Sequence, residues 1–192
     1  MCARTGGTVG EAAPRVEKLR APFNHPGFVE ACAERLRAAL DETLDVRSPV
    51  LFTAHSLPVV MAENCAYEAQ FHLTASQVAE RAGAPRWSLA YQSRSGPPSQ
   101  PWLEPDVNAE LRRLAAGGED TVVVAPIGFL SDHMEVAYDL DLDARARALE
   151  LGLQLVRAGT VGTHPRFVRM IRELVVERIE GAASRPCLGT RG

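Results

Sequence analysis

The chain has 192 residues, 46% of them hydrophobic and 23% charged, with a formal net charge of -3. That is the balance of a soluble globular protein with enough chain for one real core, and it argues against nucleic-acid binding by bulk electrostatics. No apolar run approaches the roughly 18 residues of a membrane span, so no transmembrane segment is expected, and MCARTGGTVGEAAPRVEK has no apolar core of a secretory signal. Cys2, Cys32, Cys65 and Cys187 are scattered without a CxxC pair. This argues against a zinc ribbon or a disulfide framework and suits a reducing cytoplasm.

Residues 1–18 lack periodicity and are expected to be disordered, with one domain over 19–181 and a loose tail over 182–192. Asn24-His25-Pro26-Gly27 reads as a turn, followed by a helix whose inner face carries Phe28, Ala31, Cys32, Leu36, Ala39 and Leu40. SPVLFTA (48–54) reads as a strand running into His55-Ser56-Leu57-Pro58, and residues 68–82 as a helix bearing Ala69, Phe71, His72, Ala75, Val78 and Ala79. WSLAYQ (87–92) is a second strand that ends in the polar loop Ser93-Arg94-Ser95-Gly96-Pro97-Pro98, and a helix follows over roughly 106–116. Val122 to Ala125 lie in a buried strand over 121–125, with further helix over 141–151 and a last strand over 153–156. A C-terminal helix over 166–180 turns Phe167, Met170, Ile171, Leu174, Val175 and Ile179 inward. The alternation implies an α/β fold, a Rossmann-like layer with a roughly four-stranded parallel sheet flanked by helices. It carries no GxGxxG or P-loop, so a nucleotide role has no support.

The stretch TVVVAPIGFLSDHMEVAYDLDLD (121–143) organises the rest. After Pro126, Ser131-Asp132 supply N-cap chemistry for a helix on which Glu135, Asp139 and Asp143 recur every four residues, placing three carboxylates along one face. Such a row repels itself by a few tenths of a kcal/mol per pair when exposed. A cation would compensate it; equally, it reads as a solvated acidic face at a helix start. Polar loops leave three strand ends: His55-Ser56, Gln92-Ser93-Arg94-Ser95 and Ser131-Asp132-His133-Met134-Glu135. Ligands of open α/β sheets bind outside such ends. A neutral His and a Glu there suit a borderline divalent metal with open positions, or proton removal near neutrality. His55 also reads as a loop histidine satisfied by backbone. His133 reads either as a partner of the carboxylate that passes protons or as a structural helix-start residue. His25, His72 and His164 are assigned to turns or surface. No GxSxG elbow presents a serine nucleophile, and nothing around Cys65 suggests a thiolate.

FTAHSLP (52–58), YQSRSGPPSQPWLEPDV (91–107) and VVVAPIGFLSDHMEVAYDLD (122–141), in this order and spacing, resemble ferrochelatase, as do NHPGFVEA (24–31) and VGTHPRFVRMIRELV (161–175). The resemblance runs from about Leu19 to Ile179. It implies an enzyme that inserts Fe²⁺ into a porphyrin in haem biosynthesis, with iron as substrate and no permanently bound cofactor. It also implies that His55 and Glu135 face each other across the porphyrin, His55 as proton acceptor, metal ligand or both. Glu135, Asp139 and Asp143 become a path for the metal. Tyr91, Gln92, Ser93 and Trp102 match positions that shape the pocket, with Ser56, Asp132 and His133 around it.

The match is to the second of the family's two Rossmann-like domains only, which leaves three expectations: an N-terminal half supplied by a separate chain, a truncated gene product, or a homodimer. A homodimeric small tetrapyrrole chelatase and a non-catalytic metal- or porphyrin-binding protein are the alternative readings. The cysteine set that holds a [2Fe–2S] cluster in some members is not present, so no cluster is expected. The blocks are most similar to the actinobacterial type, which implies coproporphyrin III rather than protoporphyrin IX.

Overall fold

A computed structural model describes residues 16–43, 45, 47–97, 99–181 and 185–188. Most of the expected N-terminal disorder, Cys2, and most of the expected loose tail lie outside the described residues. Four strands, β1 (Val50–His55), β2 (Trp87–Gln92), β3 (Thr121–Ala125) and β4 (Gln154–Arg157), form one parallel sheet in the order β2-β1-β3-β4. This is the expected Rossmann-like layer. β2 and β3 span the residues expected from the sequence, and β4 is displaced by one. His55 is the last residue of β1 rather than the first past it, with Gln92 of β2 as its register partner.

The strands are apolar on both sides because helices cover both sides. Val50, Phe52, Ala54, Val123, Ala125 and Val156 face one core, against α1 (Pro26–Leu40), α3 (Tyr67–Ala82) and α7 (Pro165–Glu180). Leu51, Val122, Val124 and Leu155 face the other, against α4 (Val107–Ala116) and a long helical run over 134–150. Alternation along one strand therefore serves two cores. Burial of each large apolar side chain contributes about 1.5–3 kcal/mol. A short helix, α2 (Val59–Ala62), precedes α3. α1 and α7 meet so closely at Gly27 that an added Cβ would lie 2.9 Å from Met170 Cβ and 3.0 Å from the Arg166 carbonyl.

Several helix expectations are corrected. His25 lies in the turn before α1, as expected, but is not exposed there: with 1% of its area accessible it is buried, and it caps α1 by accepting a hydrogen bond at Nδ1 from Gly27 N (3.0 Å). Burial, reinforced by Arg20, lowers its pKa, while Glu173 and Glu177 pull the other way. His72 is exposed against the edge of Trp87, and His164 caps α7 while meeting Glu34 at 3.0 Å. α7 buries only Phe167, Met170 and Leu174. Ile171, Val175 and Ile179 are 43, 40 and 78% exposed, because the contact with α1 takes a narrow stripe and leaves the adjoining one outside.

The run after β3 departs most from expectation. It starts at Met134, not behind a Ser131 or Asp132 cap; His133 is the N-cap and makes no side-chain capping bond. α5 (Met134–Val136) and α6 (Arg145–Glu150) flank a π segment, Ala137–Ala144, in place of an ordinary α-helix. Such widened turns are rare and concentrate at functional sites.

Candidate active site

In this strand order the chain leaves β1 in one direction for β2, while β3 and β4 lie on its other side. The order reverses between β1 and β3, and the carboxyl ends at such a point form the crevice where ligands of open α/β sheets bind. His55 ends β1, and the segment bearing Glu135 follows β3. Gly128 packs the loop after β3 against the end of β1: its N–H donates to the Thr53 carbonyl (3.0 Å), and a Cβ there would lie 2.5 Å from Ala54 Cα. Any side chain would push the loop off the end of β1.

His55 is half-buried and held from the backbone. Its Nδ1 lies 2.6 Å from the Ser56 carbonyl. A carbonyl only accepts, so Nδ1 carries the proton and Nε2 is left with a bare lone pair. Tyr67 donates to the His55 carbonyl (2.8 Å), and burial keeps that phenol protonated by pushing its pKa up to about 12. Ser56 N donates to the Gln92 carbonyl (2.8 Å) and Ser56 Oγ to the Leu103 carbonyl (3.0 Å), so the serine hydroxyl is committed to holding the loop. Phe129 stands between two imidazoles, its ring 6.4 Å from His55 and 5.5 Å from His133.

The acidic residues sort by face. Asp139 Oδ2 accepts from Ser93 Oγ (2.5 Å) and Gln92 Nε2 (3.3 Å), and Asp143 Oδ2 accepts from Asn108 Nδ2 (2.7 Å). These residues line a cavity of about 250 Å³. Ser93 reaches Asp139 from a left-handed backbone conformation, φ 61°, which costs a non-glycine residue about 1–3 kcal/mol. The Gln92 Oε1 and Asn108 Oδ1 acceptors are buried without a hydrogen-bond partner among the described residues. Asp141, offset by two positions, points the other way: Arg157, at the end of β4, donates from Nε to Asp141 (2.6 Å) and from Nη1 to Asp132 (2.8 Å). Burial opposes the Arg157 charge, but the hydrogen bond to Asp141 and the two carboxylates outweigh it and hold the guanidinium protonated.

The expected residues are thus not gathered in one place. Ser56, Tyr91, Gln92, Ser93, Asp139 and Asp143 border one cavity. Tyr91 also packs its ring on Phe71 and donates to Glu68, burial and that carboxylate raising its pKa. His55 and His133 flank Phe129. Glu135 is exposed in the first turn of the helical run and makes no side-chain hydrogen bond or ion pair among the described residues. No three His, Cys, Asp or Glu side chains among the described residues converge to hold a metal ion. Asp132 turns to Arg157 rather than capping a helix. Trp102 packs against Gly96, where a Cβ would collide with the indole, and its neighbourhood pairs with Pro58. The sequence reading missed Tyr67, Asn108, Phe129, Asp141 and Arg157. Only Asp141 carried a signal, its two-residue offset from Asp139 and Asp143.

A family model described as Ferrochelatase matches residues 3–179. The chain belongs to the ferrochelatase family. It is 49% identical over 187 residues to the ferrochelatase of Rhodopirellula baltica, covering 96% of this chain and 53% of that protein. It is 51% identical over 179 residues to the coproporphyrin III ferrochelatase of Frankia alni, covering 86% and 46%. With that of Streptomyces coelicolor it shares 45% over 201 residues, covering 93% and 54%. The chain therefore spans about half the length of the curated ferrochelatases it matches. A crystal structure of a multi-domain protein from Deinococcus radiodurans, described as structurally similar to chelatases, superposes with a TM-score of 0.54 at 22% identity, covering 80% of this chain and 30% of that one. That likeness speaks to the fold, which is chelatase-like. Among the described residues no helix is long and apolar enough to cross a membrane.

Proposed function

We propose that this chain carries the metal-side half of a ferrochelatase that inserts Fe²⁺ into coproporphyrin III in the cytoplasm. The observation that carries this reading is the bare Nε2 of His55 at the β1/β3 reversal, with Glu135 in the first turn of the helix that follows β3. Metalation exchanges two pyrrole N–H protons for one dication, so the ring's net charge is unchanged and two protons need acceptors. His55 Nε2 offers a lone pair to one of them, and the Glu135 carboxylate, without a polar partner among the described residues, is free to meet the metal or the second proton. Asp139 and Asp143, held by Ser93, Gln92 and Asn108, offer oxygen ligands to a hydrated ion on its way in. The choice of porphyrin rests on the names of the relatives.

A second observation favours association. Val60, Met61, Leu130, Met134 and Tyr138 are all more than half exposed, and all follow the ends of β1 or β3. An apolar patch on a ligand-binding edge marks a surface that something covers. A separate N-terminal half or a second copy of this chain are the proposed partners, separable by light scattering.

The test is fluorescence-monitored insertion of Zn²⁺, and of Fe²⁺ without oxygen, into coproporphyrin III and protoporphyrin IX. Activity that falls at least about 10²-fold in His55→Ala supports the reading. Undiminished turnover by that variant removes His55 from the mechanism. No insertion by folded wild type, alone or mixed with the first-domain half of a relative, removes the enzymatic reading.

A further inference from the structure

The geometry points to Arg157 as a positioning residue that fixes where Glu135 stands relative to His55; this rests on the assignment of those two residues above. The run over 134–150 is seated through Val136, Leu140, Ala144 and Ala148, each no more than 1% exposed. These recur every four residues and so form a single line down the helix. A line of apolar contacts fixes depth, but it resists rolling about the helix axis only weakly. The flanks must set the roll, and the flanks differ. On the cavity side the partners are neutral: Ser93, Gln92 and Asn108. On the other side one guanidinium holds two carboxylates nine positions apart, Asp132 before the helix and Asp141 inside the π segment.

Glu135 lies between those two attachment points and makes no polar contact of its own. The helix start beside it has no side-chain cap. The Arg157 fork therefore supplies the restraint that an N-cap would have given, and it does so from a different strand. Arg157 keeps 17% of its side chain exposed, against 43% for Asp132 and 34% for Asp141. The pairs are thus partly shielded, and the planar fork gives two directions that lysine cannot reproduce. Backbone ties add to this at either end, Gly128 N to the Thr53 carbonyl (3.0 Å) and Gly162 N to the Leu130 carbonyl (3.0 Å) ahead of both attachment points and Leu153 N to the Ala148 carbonyl (2.8 Å) beyond them, and none of them grips the stretch between Asp132 and Asp141.

The test uses the full chain and two readouts. Amide hydrogen exchange reports the restraint, and calorimetric titration with Co²⁺ alone reports the His55–Glu135 pair. Arg157→Met is expected to speed exchange over 131–143 at least fivefold, with β1 and α1 unchanged, and to weaken Co²⁺ binding about tenfold. Arg157→Lys restores only part of either effect. Asp132→Asn and Asp141→Asn each give a share of the loss, and neither adds to it in the Arg157→Met background. Unchanged exchange in a folded Arg157→Met chain overturns the restraint. Faster exchange with unchanged Co²⁺ affinity, where His55→Ala does lose it, overturns the positioning role. If wild type binds no Co²⁺ through His55, the assignment of the pair fails instead, and the exchange data alone decide whether Arg157 holds the segment. Should Arg157→Met not fold, the two Asp→Asn variants carry the same comparison.

Discussion

The turn before α1 and the last residue of β1 each place a histidine beside the backbone, and the hydrogen bonds of the two rings call for protons on opposite nitrogens. At His25, Nδ1 accepts from Gly27 N–H, so the proton sits on Nε2, 3.4 Å from Glu173. At His55, Nδ1 meets a carbonyl, so the proton sits on Nδ1 and Nε2 is bare. His25 is sealed within the packing of α1 and α7, whereas His55 is half open to the strand-end crevice. A backbone donor makes a histidine into a cap, and a backbone acceptor leaves its other nitrogen open to a ligand or a proton. Sequence context (NHPG against AHSLP) does not state which will occur.

The largest effect should separate the two outright. His55→Ala and Glu135→Gln are each expected to remove metal insertion by about 10²-fold or more while shifting the melting temperature little, as their side chains carry little packing. His25→Ala should do the reverse. It removes the α1 cap and opens a hole under Met170, so the unfolding free energy falls by about 2 kcal/mol with turnover of the folded fraction intact. Insertion lost in a fully stable His25→Ala chain would break the comparison.

A smaller effect concerns pH. His25 has a lowered pKa in the folded chain, so between that value and the unfolded value of about 6.5 the unfolded chain binds more protons. Its contribution is therefore present above about pH 6.5 and is lost as pH falls through the folded pKa. His25→Asn keeps a capping acceptor without titrating, and denaturant unfolding of that variant should show a shallower acid slope than wild type; equal slopes would refute the assignment. The smallest expected effect is that of Asp143→Asn, a rise of about fivefold in KM for Fe²⁺ with kcat kept, the worth of about 1 kcal/mol from one partly screened charge. Equal rates at low Fe²⁺ would take Asp143 out of the metal path.

Much of this architecture was legible because strands buried on both faces declare themselves as apolar runs, as Val122 to Ala125 do. The inner face of α1 followed from its spacing alone. The resemblance in the three blocks 52–58, 91–107 and 122–141 pointed to the family and named the candidate residues. Other features had no local signature. The π segment keeps an apparent four-residue acidic repeat, so nothing in the spelling betrays the wider turn. Arg157 finds its partners 16 and 25 residues upstream through the adjacency of β3 and β4, and that pairing exists only once the sheet has formed. His25 read as a surface turn because its burial depends on α7, more than a hundred residues away. The outward Ile171, Val175 and Ile179 read as core because a helical stripe broader than its contact looks the same in sequence as one that is filled.

In the function proposed above, the His55 imidazole offers a bare Nε2 to an incoming metal while Glu135 stands ready to share it. Histidine-selective ¹⁵N NMR with Zn²⁺ titration addresses it directly. The account predicts a His55 ring protonated at Nδ1 whose Nε2 resonance moves on adding Zn²⁺, a response weakened in Glu135→Gln, while His25 stays protonated at Nε2 and unmoved. A His55 ring protonated at Nε2, or one indifferent to the metal in a folded chain, would contradict it.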